Sequence, residues 1–209
     1  MKFERDIFIN DTRIFTPMDL YKFSSIIGTS NGLTMFYYYF STGIRHSEGN
    51  YILDNPADFD VKNRVIHFKP VEEWDKRNLF KPRDIYLSYH DLIHVLYFIN
   101  ANTRVNIKIL GLSHYMKYWA KKLNLPPNGI NALSLRKTRF VWLLNTFPEY
   151  EDVILKSMNH LPCLCTNGKR KVGSDEAIDY YKDIKFTKDE QKYIYAHLIG
   201  WDDAVEKSL

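Results

Sequence analysis

Five positions, spread over most of the 209-residue chain, carry side chains with which an enzyme could cleave a phosphodiester without a metal ion. They are Arg45, Lys69, Arg136, His160 and the pair Tyr180–Tyr181. Arginine has a planar, permanently charged guanidinium that can bind two phosphate oxygens at once. Lysine and histidine can transfer protons or donate hydrogen bonds, and tyrosine can attack phosphorus to form a covalent intermediate. The residue types therefore indicate phosphoryl transfer through a phosphotyrosine.

Four of these positions lie in short motifs, which are Thr42-Gly-Ile-Arg-His-Ser-Glu48, Arg64-Val-Ile-His-Phe-Lys69, Arg136-Lys-Thr-Arg-Phe-Val-Trp-Leu-Leu144 and Ser157-Met-Asn-His160. In content and in order, these motifs resemble those of the catalytic domain of tyrosine recombinases, the phage-integrase family. The C-terminal part of the chain adds to the likeness. Tyr181 is followed by Phe186, by the helix start Thr187-Lys-Asp-Glu190 and by Gly200-Trp201. This tail is similar to that of archaeal viral and plasmid integrases.

The resemblance assigns a role to each position. Arg45 and Arg136 would bind the scissile phosphate with help from His160, and Lys69 would protonate the departing 5′ oxygen. The register of the tail favours Tyr181 over Tyr180 as the nucleophile that forms a 3′-phosphotyrosine. The covalent bond conserves the energy of the broken strand, so the resemblance implies no cofactor, neither ATP nor a metal ion.

Three features depart from the family pattern. Leu133 stands where the family often has a histidine, three positions before Arg136. Asn159 replaces a glycine before His160, a mild change because asparagine tolerates left-handed backbone. The segment 161–175 is longer than the usual spacer between the histidine and the tyrosine. Its length leaves open whether Tyr181 would attack within its own protomer or in a neighbouring one.

Positive charge is unevenly distributed. The net charge is only +4, yet the stretch Leu92–Pro148 contains eight lysines and arginines and no Asp or Glu. A further basic run, Lys169-Arg170-Lys171, follows in a predicted loop. Such a distribution suits a polyanion such as DNA, although a solvated basic face is the alternative interpretation. The residues predicted to contact DNA are Lys137, Arg139, Lys169, Arg170 and Lys171.

The alternating and helical patterns predict an α+β fold that is mainly α-helical, with a small three-stranded antiparallel sheet. Strands are expected at 58–61, 64–68 and 84–87. Helices are expected from Thr16 to Gly28, from Ser30 to Gly43, and at 89–101, 113–123, 135–145, 149–158 and 188–199. This organisation agrees with the tyrosine-recombinase catalytic domain that the resemblance implies.

We interpret residues 1–209 as a single catalytic domain. Intact integrases usually have an N-terminal DNA-clamp domain, and nothing of that size precedes Thr16, which suggests an excised domain or a minimal recombinase. The expected partners are a double-stranded attachment site and further copies of the chain in a dimeric or tetrameric synapse. No apolar run approaches the roughly 18 residues of a membrane span. Two cysteines, Cys163 and Cys165, favour a reducing compartment, here the host cytoplasm and nucleoid.

Two other functions share these features. A type IB topoisomerase has the same site chemistry, and a degenerate integrase domain could bind DNA without cleaving it. Leu133 is the best support for the degenerate module. His90 and His94 have metal-ligand spacing on one helix face, but no third ligand is evident in the sequence. His160 could approach a zinc ion together with Cys163 and Cys165, but the chain lacks the paired ligand clusters of structural zinc sites.

Overall fold

A computed structural model of the chain describes residues 5–69, 82–104, 112–124, 129–158 and 181–208. Within these residues the chain is mainly helical, with a three-stranded antiparallel sheet and a separate two-stranded hairpin. The predicted α+β class is thereby confirmed, whereas the tyrosine-recombinase fold itself stays a prediction. In the same residues no helix is long and apolar enough to cross a membrane.

The helices are α1 (Pro17–Ser25), α2 (Ser30–Thr42), α3 (Tyr51–Asp54), α4 (Tyr89–Arg104), α5 (Leu112–Lys122), α6 (Ala132–Thr146), α7 (Glu151–Ser157), α8 (Lys188–Leu198) and α9 (Trp201–Glu206). The strands are β1 (Phe8–Ile9), β2 (Thr12–Arg13), β3 (Phe59–Asp60), β4 (Val65–Phe68) and β5 (Arg83–Tyr86). Short 3-10 turns occur at His46–Glu48, Pro56–Asp58 and Pro148–Tyr150. The hairpin β1–β2, helix α3 and helix α9 were not predicted.

Local capping signals explain where the long helices begin. Thr16 and Asp19 form a reciprocal capping box at the start of α1, and Thr187 and Glu190 form one at the start of α8. Such pairs satisfy backbone N–H groups that have no partner within the helix. Both predicted helix starts are confirmed. Helix α6 begins three residues earlier than predicted because Asn131 caps it.

Helix α2 forms the centre of the core and ends where the sequence predicts. The ring of Tyr38 stacks on that of Phe98 in α4, with the ring centroids 3.7 Å apart. The ring of Phe40 packs edge-on against Trp142 of α6, with the centroids 5.0 Å apart. The helix ends at Gly43, which has a left-handed φ of 59°. A Cβ there would lie 2.5 Å from Cε of Met158, so both the backbone angle and the packing favour glycine. This stop fixes the position of the segment that carries Arg45.

The three-stranded sheet has the order β3–β4–β5, with Ile66 of β4 opposite both Phe59 and Ile85. Strand β5 begins at Arg83, one residue earlier than predicted. Alternation along the strand therefore places Arg83 and Ile85 on the buried side. An arginine thus lies in a register position that normally holds an apolar residue.

The C-terminal helical region consists of two helices rather than one. Gly200 adopts a left-handed φ of 77° between α8 and α9, and its backbone passes directly against the ring of Tyr89. Trp201 is buried at the start of α9 and stacks on Phe147 at 5.1 Å. Ile194 and Leu198 of α8 are also buried. The apolar face of this region packs within the chain.

A buried ion pair joins α4 to α6. Nη2 of Arg139 lies 2.5 Å from Oδ2 of Asp91, and both side chains are at most 1% exposed. The hydroxyl of Ser88 donates a further hydrogen bond to the same carboxylate oxygen at 2.7 Å. Burial alone would raise the pKa of Asp91, but Arg139, His197 and Ser88 together hold it well below its ordinary value. The carboxylate therefore stays charged in the core.

Asp91→Asn should lower the free energy of unfolding by about 3–5 kcal/mol, because it leaves Arg139 buried without a compensating charge. Urea denaturation followed by circular dichroism measures this loss. The matched control is Asp189→Asn, which removes one partner of the exposed Asp189–Lys192 pair and should change stability little. Similar losses in both variants would contradict a structural role for the buried pair.

Candidate active site

Arg136 ties three separate segments together. It lies in α6 with 5% of its surface exposed. Its Nη1 donates a hydrogen bond to the backbone carbonyl of Gly43, and its Nη2 donates one to the carbonyl of Met158. Burial lowers the pKa of Arg136 to about 9, and the charge of Glu48 acts in the opposite direction. The guanidinium thereby holds the end of α2 and the end of α7 in fixed positions.

Arg136 has no carboxylate within ion-pair distance among the residues that the structure describes. Its hydrogen-bond acceptors are neutral backbone carbonyls, which orient the guanidinium without cancelling its charge. Each terminal nitrogen of a guanidinium carries two hydrogens, so one from each remains for a further acceptor. A buried charge in this state is stabilised by an anion that offers two oxygens, as a phosphate does.

Arg45 lies two residues beyond Gly43, on a short turn that a glutamate closes. The backbone N–H of Arg45 donates to Oε2 of Glu48 at 2.7 Å. Nη1 of Arg45 lies 3.8 Å from Oε1 of the same carboxylate, and 34% of the side chain is exposed. The arginine therefore begins at a rigid corner and reaches the surface.

Glu48 links this turn to the sheet through Arg83. Nη2 of Arg83 donates to Oε2 of Glu48 at 2.7 Å, and both side chains are at most 2% exposed. The guanidinium carbon lies 4.0 Å from the ring centroid of Phe68 on the neighbouring strand. Burial lowers the pKa of Arg83, while Glu48 opposes that shift. Two arginines, at positions 45 and 83, thus pair with one carboxylate, whose charge also acts on Arg136.

Lys69 follows β4 and lies at an open cavity of about 370 Å³. Its ammonium forms an ion pair with Asp58, and its backbone N–H donates to the hydroxyl of Tyr51 at 2.8 Å. That hydroxyl donates in turn to Oδ2 of Asp58 at 2.5 Å. The hydrogen bond from Lys69 is the largest cause of the lowered pKa of Asp58. Burial and the bond to Asp58 raise the pKa of Tyr51 to about 12.

Tyr181 is buried beside α6. Only 3% of its surface is exposed, and its ring meets Phe140 edge-on with centroids 4.7 Å apart. Its backbone carbonyl accepts a hydrogen bond from Nδ2 of Asn145 at 3.4 Å. Burial raises the pKa of Tyr181, and the positive charge of Arg136 acts in the opposite direction. The phenol therefore lies within electrostatic range of the guanidinium.

The structure thus links Arg136 to the segment of Arg45 through the carbonyl of Gly43, and the charge of Arg136 acts on Tyr181. Glu48 connects Arg45 to Arg83, which stacks on Phe68, the residue before Lys69. His160 and Tyr180 lie outside the described residues, as do Lys169, Arg170, Lys171 and the two cysteines. The acceptor of Arg136 at Met158 is two residues from His160 in the sequence. Leu133, at the position of the missing family histidine, lies one turn before Arg136 and is 45% exposed.

Two of the residues expected to contact DNA are engaged within the protein. Nζ of Lys137 donates to the carbonyl of Ile9 at 2.9 Å and to Oγ1 of Thr12 at 3.2 Å. Arg139 is paired with Asp91 in the core. Their charges have intramolecular roles in this structure. Among the side chains that the structure describes in the acid-free stretch, the exposed cations lie on α5, at Lys117, Lys121 and Lys122.

The histidine pair considered as a metal site packs as part of a ring cluster. His90 lies 4.8 Å from His94 and 4.3 Å from His197, measured between ring centroids. The intervening Asp91 already pairs with Arg139. Burial lowers the pKa of His94 to about 4. Across the described ranges, no group of three or more His, Cys, Asp and Glu side chains is arranged to hold a metal ion.

Sequence reasoning missed Arg83, Tyr51 and Asp58. The signal for Arg83 was its register, since it precedes Ile85 by two positions on a strand whose other inward residues are apolar. No comparable local signal marks Tyr51 or Asp58, which meet Lys69 only after the hairpin β3–β4 has formed.

Comparison of the chain with models of protein families, with curated proteins and with solved structures finds no match.

Inorganic phosphate should raise the melting temperature by about 2–5 °C relative to chloride at equal ionic strength, because an anion bound only by the folded state stabilises it. Arg45→Met should abolish this phosphate-specific shift. Lys117→Met, which removes an equal charge from exposed α5, should retain it. Differential scanning fluorimetry measures all three proteins. A shift that persists in Arg45→Met would contradict phosphate binding at this cluster.

Proposed function

We propose that this chain is a site-specific DNA recombinase that cleaves and rejoins strands through a 3′-phosphotyrosine. One observation carries the proposal: the buried guanidinium of Arg136 donates to the carbonyls of Gly43 and Met158, forms no ion pair among the described residues, and opposes the effect of burial that raises the pKa of Tyr181. Attack on a phosphodiester requires a nucleophile and cations that stabilise the charged phosphate, and Tyr181, Arg45 and Arg136 would supply them. The order of the motifs along the chain supports the same reaction.

Binding of the scissile phosphate falls to Arg45 and Arg136. Both non-bridging oxygens carry negative charge that repels a nucleophile, and this charge increases in the pentavalent transition state. Arg136 is oriented before DNA arrives, because its bonds to Gly43 and Met158 fix the guanidinium plane. Removing one such donor typically costs on the order of 100- to 1000-fold in rate.

Attack falls to the hydroxyl of Tyr181. A bond forms between its oxygen and phosphorus while the bond from phosphorus to the 5′ oxygen breaks, and the phenolic proton passes to water. The charge of Arg136 favours the phenolate that this step develops. Because Tyr181 is 3% exposed, a DNA phosphate reaches it only if the segment that carries the tyrosine moves outward.

Protonation of the 5′ oxygen falls to Lys69. Its side chain is 67% exposed, so it can leave Asp58 and reach a DNA strand bound across the cluster. Rejoining reverses these steps: a 5′ hydroxyl attacks the phosphotyrosine, returns its proton to Lys69 and releases Tyr181. Strand exchange needs two attachment sites, so the proposal includes double-stranded DNA and further copies of the chain as partners, in the host cytoplasm.

Type IB topoisomerase-like relaxation is the second candidate, since it uses the same groups without strand exchange. Relaxation of a supercoiled plasmid that lacks a partner site distinguishes it from recombination. The third candidate is a degenerate DNA-binding module, for which the exposed leucine at position 133 is the supporting observation. Such a module binds DNA and forms no covalent adduct.

Covalent trapping tests the reaction directly. The wild-type protein should form a protease-sensitive adduct with members of a library of nicked duplexes that have a random central sequence. The nick lets the 5′ fragment diffuse away, so the adduct accumulates and its sequence identifies the site. Tyr181→Phe should abolish the adduct, and Tyr180→Phe should retain it. Loss only in Tyr180→Phe would move the nucleophile by one residue, and retained DNA binding without any adduct would favour the degenerate module.

Salt dependence tests the DNA partner independently of chemistry. Affinity for a duplex should fall by roughly 100-fold between about 50 and 200 mM salt, because each neutralised phosphate releases condensed counterions. Fluorescence anisotropy with a labelled duplex measures this slope. A duplex of the same sequence with a neutral methylphosphonate backbone serves as the control and should show little salt dependence. Affinity for the natural duplex that stayed constant over this range would count against a DNA partner.

A further inference from the structure

Arg83 is buried in a way that suits a fixed support. It begins β5 opposite Phe68 of β4, and its side chain is 2% exposed. The guanidinium stacks over the ring of Phe68 at 4.0 Å and donates through Nη2 to Glu48 at 2.7 Å. Its Nε and Nη1 have no hydrogen-bond partner among the described residues. The side chain is therefore held by one carboxylate and one aromatic ring.

Glu48 lies between Arg83 and Arg45, one of the two arginines proposed to bind the phosphate. Its Oε2 accepts hydrogen bonds from Arg83 at 2.7 Å and from the backbone of Arg45 at 2.7 Å. The guanidinium of Arg45 is farther away, 3.8 Å from Oε1. The charge of Glu48 also acts on Arg136. This carboxylate is thus the anion that would compete with a phosphate for Arg45.

We infer that Arg83 is a positioning residue that holds the carboxylate of Glu48 and so limits its competition with the phosphate for Arg45. The inference rests on the proposed function. Arg83 forms the shorter side-chain ion pair with Glu48, at 2.7 Å against 3.8 Å for Arg45. Without Arg83, Glu48 would turn toward the guanidinium of Arg45 and act as an internal competitor.

Direct contact between Arg83 and DNA does not fit this geometry. The side chain is covered by Phe68 and Glu48, whereas Arg45 is 34% exposed. An arginine that acts through Glu48 and one that contacts the phosphate directly are expected to differ in one measurable effect. Its loss should be offset when the charge of Glu48 is removed as well.

Isothermal titration with inorganic phosphate, below the melting temperature of every variant, tests this coupling. Arg83→Met should weaken phosphate binding by roughly tenfold, the effect of losing one charge-assisted contact with the phosphate. The double variant Arg83→Met/Glu48→Gln should recover to within about threefold of wild type, because the competing carboxylate is gone. Adduct formation on the random-sequence nicked library should follow the same order.

A double variant as weak as Arg83→Met would overturn the inference and would indicate that Arg83 contacts the anion itself. Wild-type binding in Arg83→Met would overturn it as well. Should Arg83→Met fail to fold, two milder variants decide the matter. Arg83→Lys retains the charge and should bind phosphate within a few-fold of wild type, and Glu48→Gln should bind it at least as tightly. Weaker binding in Glu48→Gln would contradict the role of Glu48 as a competitor.

Failure of the proposed function gives a different result. In that case the wild-type protein itself neither binds phosphate at millimolar concentration nor forms an adduct with the library. The variants then have no wild-type binding or cleavage with which to be compared. This result rejects the inference together with the function on which it rests. A wild type that binds phosphate while Arg83→Met binds it equally well rejects the inference alone.

Discussion

The hydrogen bonds from Arg136 to the backbone carbonyls of Gly43 and Met158 are the contacts on which the rest of the site depends. They join the end of α2, the end of α7 and the second turn of α6 at one buried point. Because the acceptors are neutral, the guanidinium is fixed in place and keeps its charge. Side-chain carboxylates would have fixed it equally well but would have cancelled the charge that an anion needs.

Helix α6 shows both ways in which a protein can bury an arginine. Arg139, one turn after Arg136, faces Asp91 and forms a neutral pair that joins two helices of the core. Arg136 instead donates to the backbone carbonyls of Gly43 and Met158. Both residues are buried arginines on the same helix. Only their hydrogen-bonding partners therefore distinguish the structural arginine from the one that is available to a ligand.

The small sheet supplies the opposite side of the cluster. Strand β4 ends at Phe68, one residue before Lys69, and Phe68 pairs with Arg83 at the start of β5. Glu48 then connects Arg83 to the turn that carries Arg45. A mainly helical protein thus uses its few strand residues where two cations must be held at fixed positions, because paired strands leave less freedom than a loop would.

The sequence by itself determined the features that depend on neighbouring residues. Thr16 and Thr187 cap helices through side chains three positions away, and Gly43 ends α2 because only glycine adopts left-handed backbone at little cost, so each was predictable from a few residues. The tertiary structure decided everything that depends on distant partners. Lys137 and Arg139 have the composition of DNA contacts, yet β1–β2 and Asp91 engage them within the protein. The role of Arg83 was not predictable from the sequence because it also depends on a distant partner. A charged residue is stable at a buried strand position only when the fold places a carboxylate such as Glu48 beside it.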